Sequence, residues 1–145
     1  MCANQLRNKP VTVFIVDDDD VDVIGIERAL KKLKIANPTI RAKDGIEALE
    51  MLRNKLIPHP FIVLLDINMP RMGGIDFLTT IRADPELSKL IVFMLTTSSA
   101  DQDKVSAYEK NVAGYMVKKQ VGESFLNIVD MLDHYWRVVE LPSYD

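Results

Sequence analysis

Four apolar runs in this sequence each end in a polar side chain. Carboxylates follow two of the runs, a hydroxyl follows the third and an amine follows the fourth. In chain order these are residues 11–16 with Asp17 and Asp18, residues 61–65 with Asp66, residues 90–95 with Thr96, and residues 113–117 with Lys118. A single acid after an apolar run is also common in a plain turn. Four such endings together favour a site that binds charged groups.

The apolar runs themselves are typical of strands buried on both faces. Each has five or six residues, too few for a core helix, and β-branched residues are frequent in them. The segments between them carry apolar residues at helical spacing, for example Ile46, Leu49 and Leu52. A shorter, more polar run at 39–42 predicts an edge strand, whereas 61–65 predicts the centre of the sheet. The alternation predicts an α/β fold in which helices cover both faces of a five-stranded parallel sheet.

The connecting helices differ in how well their ends and faces are specified. Asp44 is predicted to open the second helix, and Asp19 is predicted to cap the first helix rather than to bind a metal ion. The helix at 100–111 has a thin apolar stripe formed by Val105 and Tyr108. We therefore expect that helix to be loosely held.

The strand-end side chains are expected to meet, because the carboxyl ends of parallel strands share one edge of the sheet. Three carboxylates at ~4 Å repel by about 4 kcal/mol per pair at an effective dielectric constant of 20, so the site requires a cation. Oxygen ligands in an open site favour Mg²⁺ over Ca²⁺. A hand-type calcium loop is not supported, since its glycine and distal glutamate are missing around Asp18, Asp20 and Asp22.

A lysine and a hydroxyl beside metal-bound carboxylates suit the chemistry of a phosphoryl group. Lys118 and Mg²⁺ would neutralise its oxygens, and Thr96 would donate a hydrogen bond to one of them. Asp66, on the central strand, is the best-placed nucleophile for in-line attack on phosphorus. The product would be an acyl phosphate.

Bulk composition limits the other function classes. A chain of 145 residues fits a single domain over 1–145, and its net charge of -3 argues against direct DNA binding. The single cysteine, Cys2, allows no disulfide framework. Neither a signal peptide nor a membrane span is indicated, so we expect a cytoplasmic protein with no membrane partner.

From about Thr12 to Trp136 the chain resembles the receiver domain of two-component response regulators. The match rests on several motifs in the correct order, which are stronger together than any one acidic pair. They are Val16-Asp17-Asp18, Leu65-Asp66-Ile67-Asn68-Met69-Pro70 with Gly74, Leu95-Thr96, and Gly114-Tyr115-Met116-Val117-Lys118. The resemblance implies a doubly wound, flavodoxin-like sheet of strand order 2-1-3-4-5.

The resemblance also implies roles for individual residues. Asp66 would accept a phosphoryl group from the phosphohistidine of a sensor kinase or a phosphotransfer protein, in a signalling protein that catalyses only its own phosphorylation and slow dephosphorylation. The implied metal ligands are Asp17, Asp18, Asp66 and the backbone carbonyl of Asn68. Thr96 and Lys118 would contact the phosphoryl group. Thr96 and Tyr115 would then switch the face made by the fourth helix, fifth strand and fifth helix.

One departure from the family pattern concerns the residue after Lys118. The family usually has a proline there in a cis peptide, whereas this chain has Lys119. A cis bond before a non-proline residue costs about 2.5–4 kcal/mol, so we predict a trans Lys118-Lys119 bond.

The C-terminal region carries a second, weaker resemblance. Residues 125–142 are similar to the end of small stand-alone receivers that partner bacterial phytochrome kinases. With a core at about 11–136, residues 137–145 form an extension. Tyr135, Trp136 and Val139 could simply complete the packing on the sheet, but apolar residues on several sides of this helix predict a homodimer or partner contact.

Two alternatives remain open. A Mg²⁺-dependent phosphohydrolase would use Asp17 as its nucleophile, with a second acid at Asp19, but the glycine and threonine usual after these acids are missing. A binding module of the same fold that acts without phosphorylation would not need to keep every reactive group. The carboxylate that becomes phosphorylated discriminates among them.

Overall fold

The computed structural model describes residues 10–118 and 125–141. Strands and helices alternate through these ranges. The strands are β1 (Thr12–Val16), β2 (Thr39–Ala42), β3 (Phe61–Leu65), β4 (Val92–Thr96) and β5 (Gly114–Val117). The helices are α1 (Asp20–Lys32), α2 (Gly45–Arg53), α3 (Gly74–Ala83), α4 (Asp101–Glu109) and α5 (Leu126–Val138).

The strands described in these ranges form one parallel sheet of five strands, in the order β2-β1-β3-β4-β5. This confirms the predicted fold class, the central position of β3 and the edge position of β2. Burial follows position, because β1, β3 and β4 are buried along their whole length while β2 and β5 are buried only at their last residue. The register pairs Val16 with Leu65, so β1 and β3 end level with each other.

Two apolar layers hold the helices on opposite faces of the sheet. On one face, Phe14, Val16, Val63 and Leu65 pack with buried residues of α2, α3 and α4. On the other face, alternate strand residues such as Ile62 pack with α1 and α5. This period of two within fully apolar strands is why the runs are uniformly hydrophobic, since both faces are covered.

The helix starts are capped largely as the sequence predicts. Asp19 accepts hydrogen bonds from the amides of Val21 and Asp22 at the start of α1, which confirms its capping role. Asp44 accepts from the Glu47 amide at the start of α2. These caps satisfy backbone donors that a helix leaves open in its first turn.

Helix α4 corrects one prediction. Val105 and Tyr108, expected to form its core-facing stripe, are 57% and 54% exposed, and Ala107 is the buried residue instead. The predicted stripe was wrong because Ala107, a small residue, is what fits against the sheet. The helix also ends at Glu109, two residues before the expected end.

Some predictions fall outside the described residues. The predicted trans geometry of the Lys118-Lys119 peptide is one of them, because Lys119 lies in the gap between 118 and 125. Within 10–118 and 125–141, no helix is long and apolar enough to cross a membrane.

Candidate acidic site at the carboxyl edge of the sheet

The ends of β1, β3, β4 and β5 bring the predicted side chains to one edge of the sheet. Asp17 and Asp66 directly follow β1 and β3, and the amide of Asp66 donates to the Val16 carbonyl at 3.0 Å. Thr96 is the last residue of β4 rather than the first after it, and its register partner on β5 is Val117, which precedes Lys118. The sheet thus places these groups side by side, as the sequence predicts.

Three carboxylates form a compact cluster at this edge. Asp17, Asp18 and Asp66 each offer an oxygen, and these oxygens lie within 4.8 Å of one another. Asp17 and Asp66 are buried, with 2% and 6% exposure, while Asp18 is exposed. This set of oxygen donors, open to solvent on one side, fits a hard divalent cation that retains some of its water ligands.

Lys118 lies among these carboxylates. Its Nζ donates to Asp17 Oδ2 at 2.8 Å and to Asp22 Oδ2 at 2.7 Å, and it is 3.7 Å from Asp66 Oδ2. Asp66 has its other oxygen, Oδ1, accepting from the Ile67 amide at 2.8 Å. The second oxygen of Asp66 is therefore the one that faces the lysine.

Burial and charge act against each other on the titration of this site. Burial raises the pKa of Asp17 to about 6, even though the hydrogen bond from Lys118 opposes the increase. Burial alone would lower the pKa of Lys118, but its hydrogen bonds to Asp17 and Asp22 outweigh this and hold that pKa above its ordinary value. The lysine is therefore charged at neutral pH, and it offsets part of the repulsion among the acids.

Asp22 is a site residue whose contact with Lys118 the sequence did not predict. It lies in the first turn of α1, where acids commonly serve the helix dipole, yet its carboxylate reaches Lys118 across the site. The sequence did contain a signal for this contact, because Asp22 follows Asp18 at helical spacing and lies close to the acids at the end of β1.

Arg41, on the edge strand β2, is a second residue whose contact was not predicted. Its Nε donates to the backbone carbonyl of Asp17 at 3.0 Å, and its Nη1 contacts Asp20 Oδ1 at 2.6 Å. The arginine thereby holds the connection between β1 and α1 against the sheet.

The segment after Asp66 is packed backbone to backbone. The Gly74 amide donates to the Ile67 carbonyl at 2.8 Å, and a Cβ on Gly74 would lie 2.2 Å from the carbonyl oxygen of Asp66. Only glycine fits this approach. Asn68, whose carbonyl is the implied metal ligand, lies exposed within this closed segment.

Thr96 and Tyr115 both connect to the segment between β4 and α4. Thr96 is fully buried, and its Oγ1 accepts from the Ser98 amide at 3.3 Å. The Tyr115 hydroxyl donates to the Ser98 carbonyl at 2.8 Å, while the Ser98 hydroxyl donates to Asp103 on α4. Ser98 therefore joins the fourth strand, the fourth helix and the fifth strand.

Comparison with known proteins agrees with this architecture. The family described as "Response regulator receiver domain" matches residues 13–130. Response regulator Rcp1 of Synechocystis sp. is 29% identical over 94% of this chain and 96% of its own. Chemotaxis protein CheY-3 of Vibrio cholerae is 39% identical over 78% of this chain and 84% of its own.

Two solved structures of response regulators are similar to this chain over most of its length. The Mn²⁺-bound form of Rcp1 has a TM-score of 0.81 at 29% identity, covering 92% of this chain and 100% of that one. The phosphorylated cyanobacterial phytochrome response regulator RcpA has a TM-score of 0.83 at 28% identity, covering 93% of this chain and 100% of that one.

Proposed function

This chain belongs to the response regulator receiver family, and we propose that it accepts a phosphoryl group on Asp66 from a phosphohistidine of a sensor histidine kinase or of a phosphotransfer protein. A carboxylate oxygen of Asp66 attacks phosphorus, the P–N bond to the imidazole breaks, and the imidazole leaves with the bonding electrons. The product is an aspartyl phosphate, a reactive acyl phosphate suited to a transient signal.

The observation that carries this proposal is the environment of Asp66. Asp66 is 6% exposed, and its carboxylate lies within the cluster formed with Asp17 and Asp18, 3.7 Å from the Lys118 ammonium. A phosphohydrolase would attack through Asp17. Here, however, both Asp17 oxygens accept hydrogen bonds, from the Asp19 amide and from Lys118, which disfavours that carboxylate as nucleophile.

The carboxylate cluster supports Mg²⁺ as the resident ion, with Asp17, Asp18, Asp66 and the Asn68 carbonyl as ligands. The structure of Rcp1 in its Mn²⁺-bound form supports a divalent ion for a chain of this fold. When bound, Mg²⁺ supplies charge neutralisation for the phosphoryl oxygens. Lys118 supplies a further positive charge. Thr96 donates a hydrogen bond to a phosphoryl oxygen, and a shift of Thr96 would reach Tyr115 through Ser98, which both residues contact.

A phytochrome-type kinase is the partner that we propose, because RcpA is described as a phytochrome response regulator and covers nearly the whole chain. We also propose a homodimer through the C-terminal region. In α5 and just after it, Met131, Val138 and Val139 are 40%, 81% and 40% exposed, an apolar surface that a second copy would cover.

The test of the central proposal is phosphate incorporation from acetyl phosphate, followed by intact mass, with Mg²⁺ or with chelator. We expect one Mg²⁺-dependent adduct in wild type and in Asp76→Asn, an exposed acid on α3 that serves as the matched control. Asp66→Asn should abolish the adduct. Labelling that persists in Asp66→Asn but disappears in Asp17→Asn would instead establish the hydrolase chemistry. No adduct from either acetyl phosphate or a phosphorylated kinase would favour the binding module.

A further inference from the structure

An ion pair outside the acidic cluster ties two of the site's loops together. Arg71, in the segment between β3 and α3, donates from Nε to Asp44 Oδ2 at 2.8 Å and from Nη2 to Asp44 Oδ1 at 3.2 Å. Asp44 lies 27 residues earlier, at the start of α2, and is 5% exposed. Two parallel bonds between a guanidinium and a carboxylate fix orientation as well as distance.

Further contacts continue this connection. The Gly45 amide donates to the Met72 carbonyl at 3.1 Å, and the Met72 side chain packs so closely on Gly45 that a Cβ there would lie 2.6 Å from Met72 Cγ. The other end of the same segment is fixed by the Gly74 amide on the Ile67 carbonyl. The segment 67–74 is thus closed at its base and fastened at its tip to the start of α2.

We propose that the Asp44-Arg71 pair is a positioning device for the Asn68 carbonyl, holding segment 67–72 so that this carbonyl and Asp66 present a preformed divalent cation site. The inference rests on the proposed function, since it concerns the same ion. Asn68 is exposed and lies only three residues from Arg71, so few packing contacts fix it. The position of its carbonyl therefore depends on the contacts that hold segment 67–72. A site that is already formed avoids the entropy cost of ordering the loop on binding.

The backbone of Arg71 shows that this arginine is present at a conformational cost. Its φ is 62°, the left-handed region that most side chains avoid. Glycine or asparagine would occupy this position with less strain. The pair with Asp44 offsets that cost, and the Arg71 guanidinium holds the pKa of Asp44 below its usual range, so the pair is ionised at neutral pH.

The backbone conformation also determines the variant to test. Arg71→Asn removes the guanidinium while retaining a residue that tolerates the left-handed region, so its effect reports the ion pair rather than the turn. Arg71→Lys keeps the charge and loses the two-pronged geometry. Arg53→Gln removes the same charge from the exposed last turn of α2 and is the matched control.

Electrostatics and positioning predict opposite signs for Mg²⁺ affinity. Removing a positive charge near an acidic site should tighten cation binding through simple Coulomb attraction. Loss of positioning should weaken it, by about tenfold if Arg71 acts like other groups that orient metal ligands from outside. A role limited to stabilising the fold would lower the melting temperature and leave affinity unchanged.

The experiment is calorimetric titration of Mg²⁺ into the full chain, with thermal unfolding in chelator and phosphorylation by acetyl phosphate measured in parallel. We expect roughly tenfold weaker binding in Arg71→Asn, an intermediate value in Arg71→Lys and no change in Arg53→Gln. Phosphorylation of Arg71→Asn should recover at saturating Mg²⁺. Unchanged or tighter Mg²⁺ binding in Arg71→Asn would overturn the inference. If wild type bound no Mg²⁺ and formed no adduct, the proposed function itself would fail.

Discussion

Lys118 has more acidic partners than the strand ends alone would give it, because Asp22 reaches it from α1. At 2.7 Å, the Asp22 contact is as short as the one to Asp17. A cation entering the cluster must compete with Lys118 for Asp17, and Asp22 gives the lysine an alternative partner. We therefore expect Asp22 to affect metal binding without being one of the proposed ligands.

Replacing Asp22 by asparagine should weaken Mg²⁺ binding. Lys118 would then pair more strongly with Asp17 and Asp66, and the site would lose one negative charge, so both effects act in the same direction. We expect roughly tenfold weaker binding, since a hydrogen bond to a charged group contributes on the order of 1.5 kcal/mol. Calorimetry measures this, with Asp20→Asn as the control because Asp20 pairs with Arg41 instead. An equal loss in both variants would indicate a general charge effect and no specific role for Asp22.

The raised pKa of Asp17 predicts a specific pH dependence of stability in chelator. Burial raises this pKa to about 6 in the folded protein, whereas the pKa in the unfolded chain is 3.8. The folded state therefore holds the proton more tightly than the unfolded state. The stabilising contribution of protonated Asp17 is complete below pH 3.8 and is lost as the pH rises through about 6.

Urea unfolding of wild type and Asp17→Asn in chelator tests this dependence. The free energy of unfolding of the variant should rise relative to wild type between pH 4 and pH 6.5 and then level off, because only the wild type loses a bound proton at this position. A difference that stays constant over this interval would contradict the assignment of the titration to Asp17.

The sequence predicts which side chains form the acidic cluster, but it does not predict the contacts around that cluster. Asp17, Asp18, Asp66 and Lys118 converge because each follows a strand of one parallel sheet, a rule that needs only the strand pattern. The pairing of Asp44 with Arg71 could not be predicted, since it depends on how two loops of different length fold over the sheet edge. The roles proposed for Asn68 and Tyr115 remain predictions.

Among the elements, α3 is placed by its first residue. The backbone of Gly74 lies against the Asp66 carbonyl and Ile67 Cα, where a Cβ would come within 2.2 Å and 2.9 Å of backbone atoms. Gly45 at the start of α2 is also crowded, but by the Met72 side chain, which can move. Two helix-opening glycines therefore differ in whether their neighbour can adjust.

Gly74→Ala should consequently destabilise the protein by about 1–3 kcal/mol, the usual cost of overpacking, and should displace the segment that follows Asp66. Gly45→Ala should cost clearly less, since a flexible methionine gives way. Urea unfolding gives the two free energies, and the acetyl phosphate reaction reports the displacement. Equal losses in the two variants would show that the backbone contact at Gly74 is not the limiting one.

The existence and order of the elements followed from the sequence, while the face of a weakly patterned helix did not. Central strands are long and apolar, so their composition alone predicts that both faces are buried, whereas the edge strands are shorter. Helix α4 lacks such a pattern, because the residue it buries is Ala107 and its larger apolar side chains point outward. Small residues at contacts give a weak hydrophobic signal even when they decide the packing.

For the whole molecule, the C-terminal helix combines a buried side with an apolar outer side. Tyr135 packs edge-on against Phe93 with ring centroids 5.1 Å apart. This confirms, for Tyr135, the prediction that the helix completes the packing on the sheet. Met131 and Val138, two turns apart, are exposed on another side of α5, and Val139 follows them. The exposed set is what a second copy would bury in the proposed homodimer.

Val138→Lys should convert such a dimer to a monomer, because Val138 is 81% exposed and a lysine there would have to be desolvated at the interface. Light scattering coupled to size exclusion, over a range of protein concentrations, measures the mass. Leu56→Lys makes the same kind of change at a 57% exposed apolar residue after α2 and should leave the mass unchanged. Wild type that stayed monomeric at high concentration would remove the dimer proposal. A dimer that survived Val138→Lys but not Leu56→Lys would place the interface near Leu56, after α2, which packs on the opposite face of the sheet from α5.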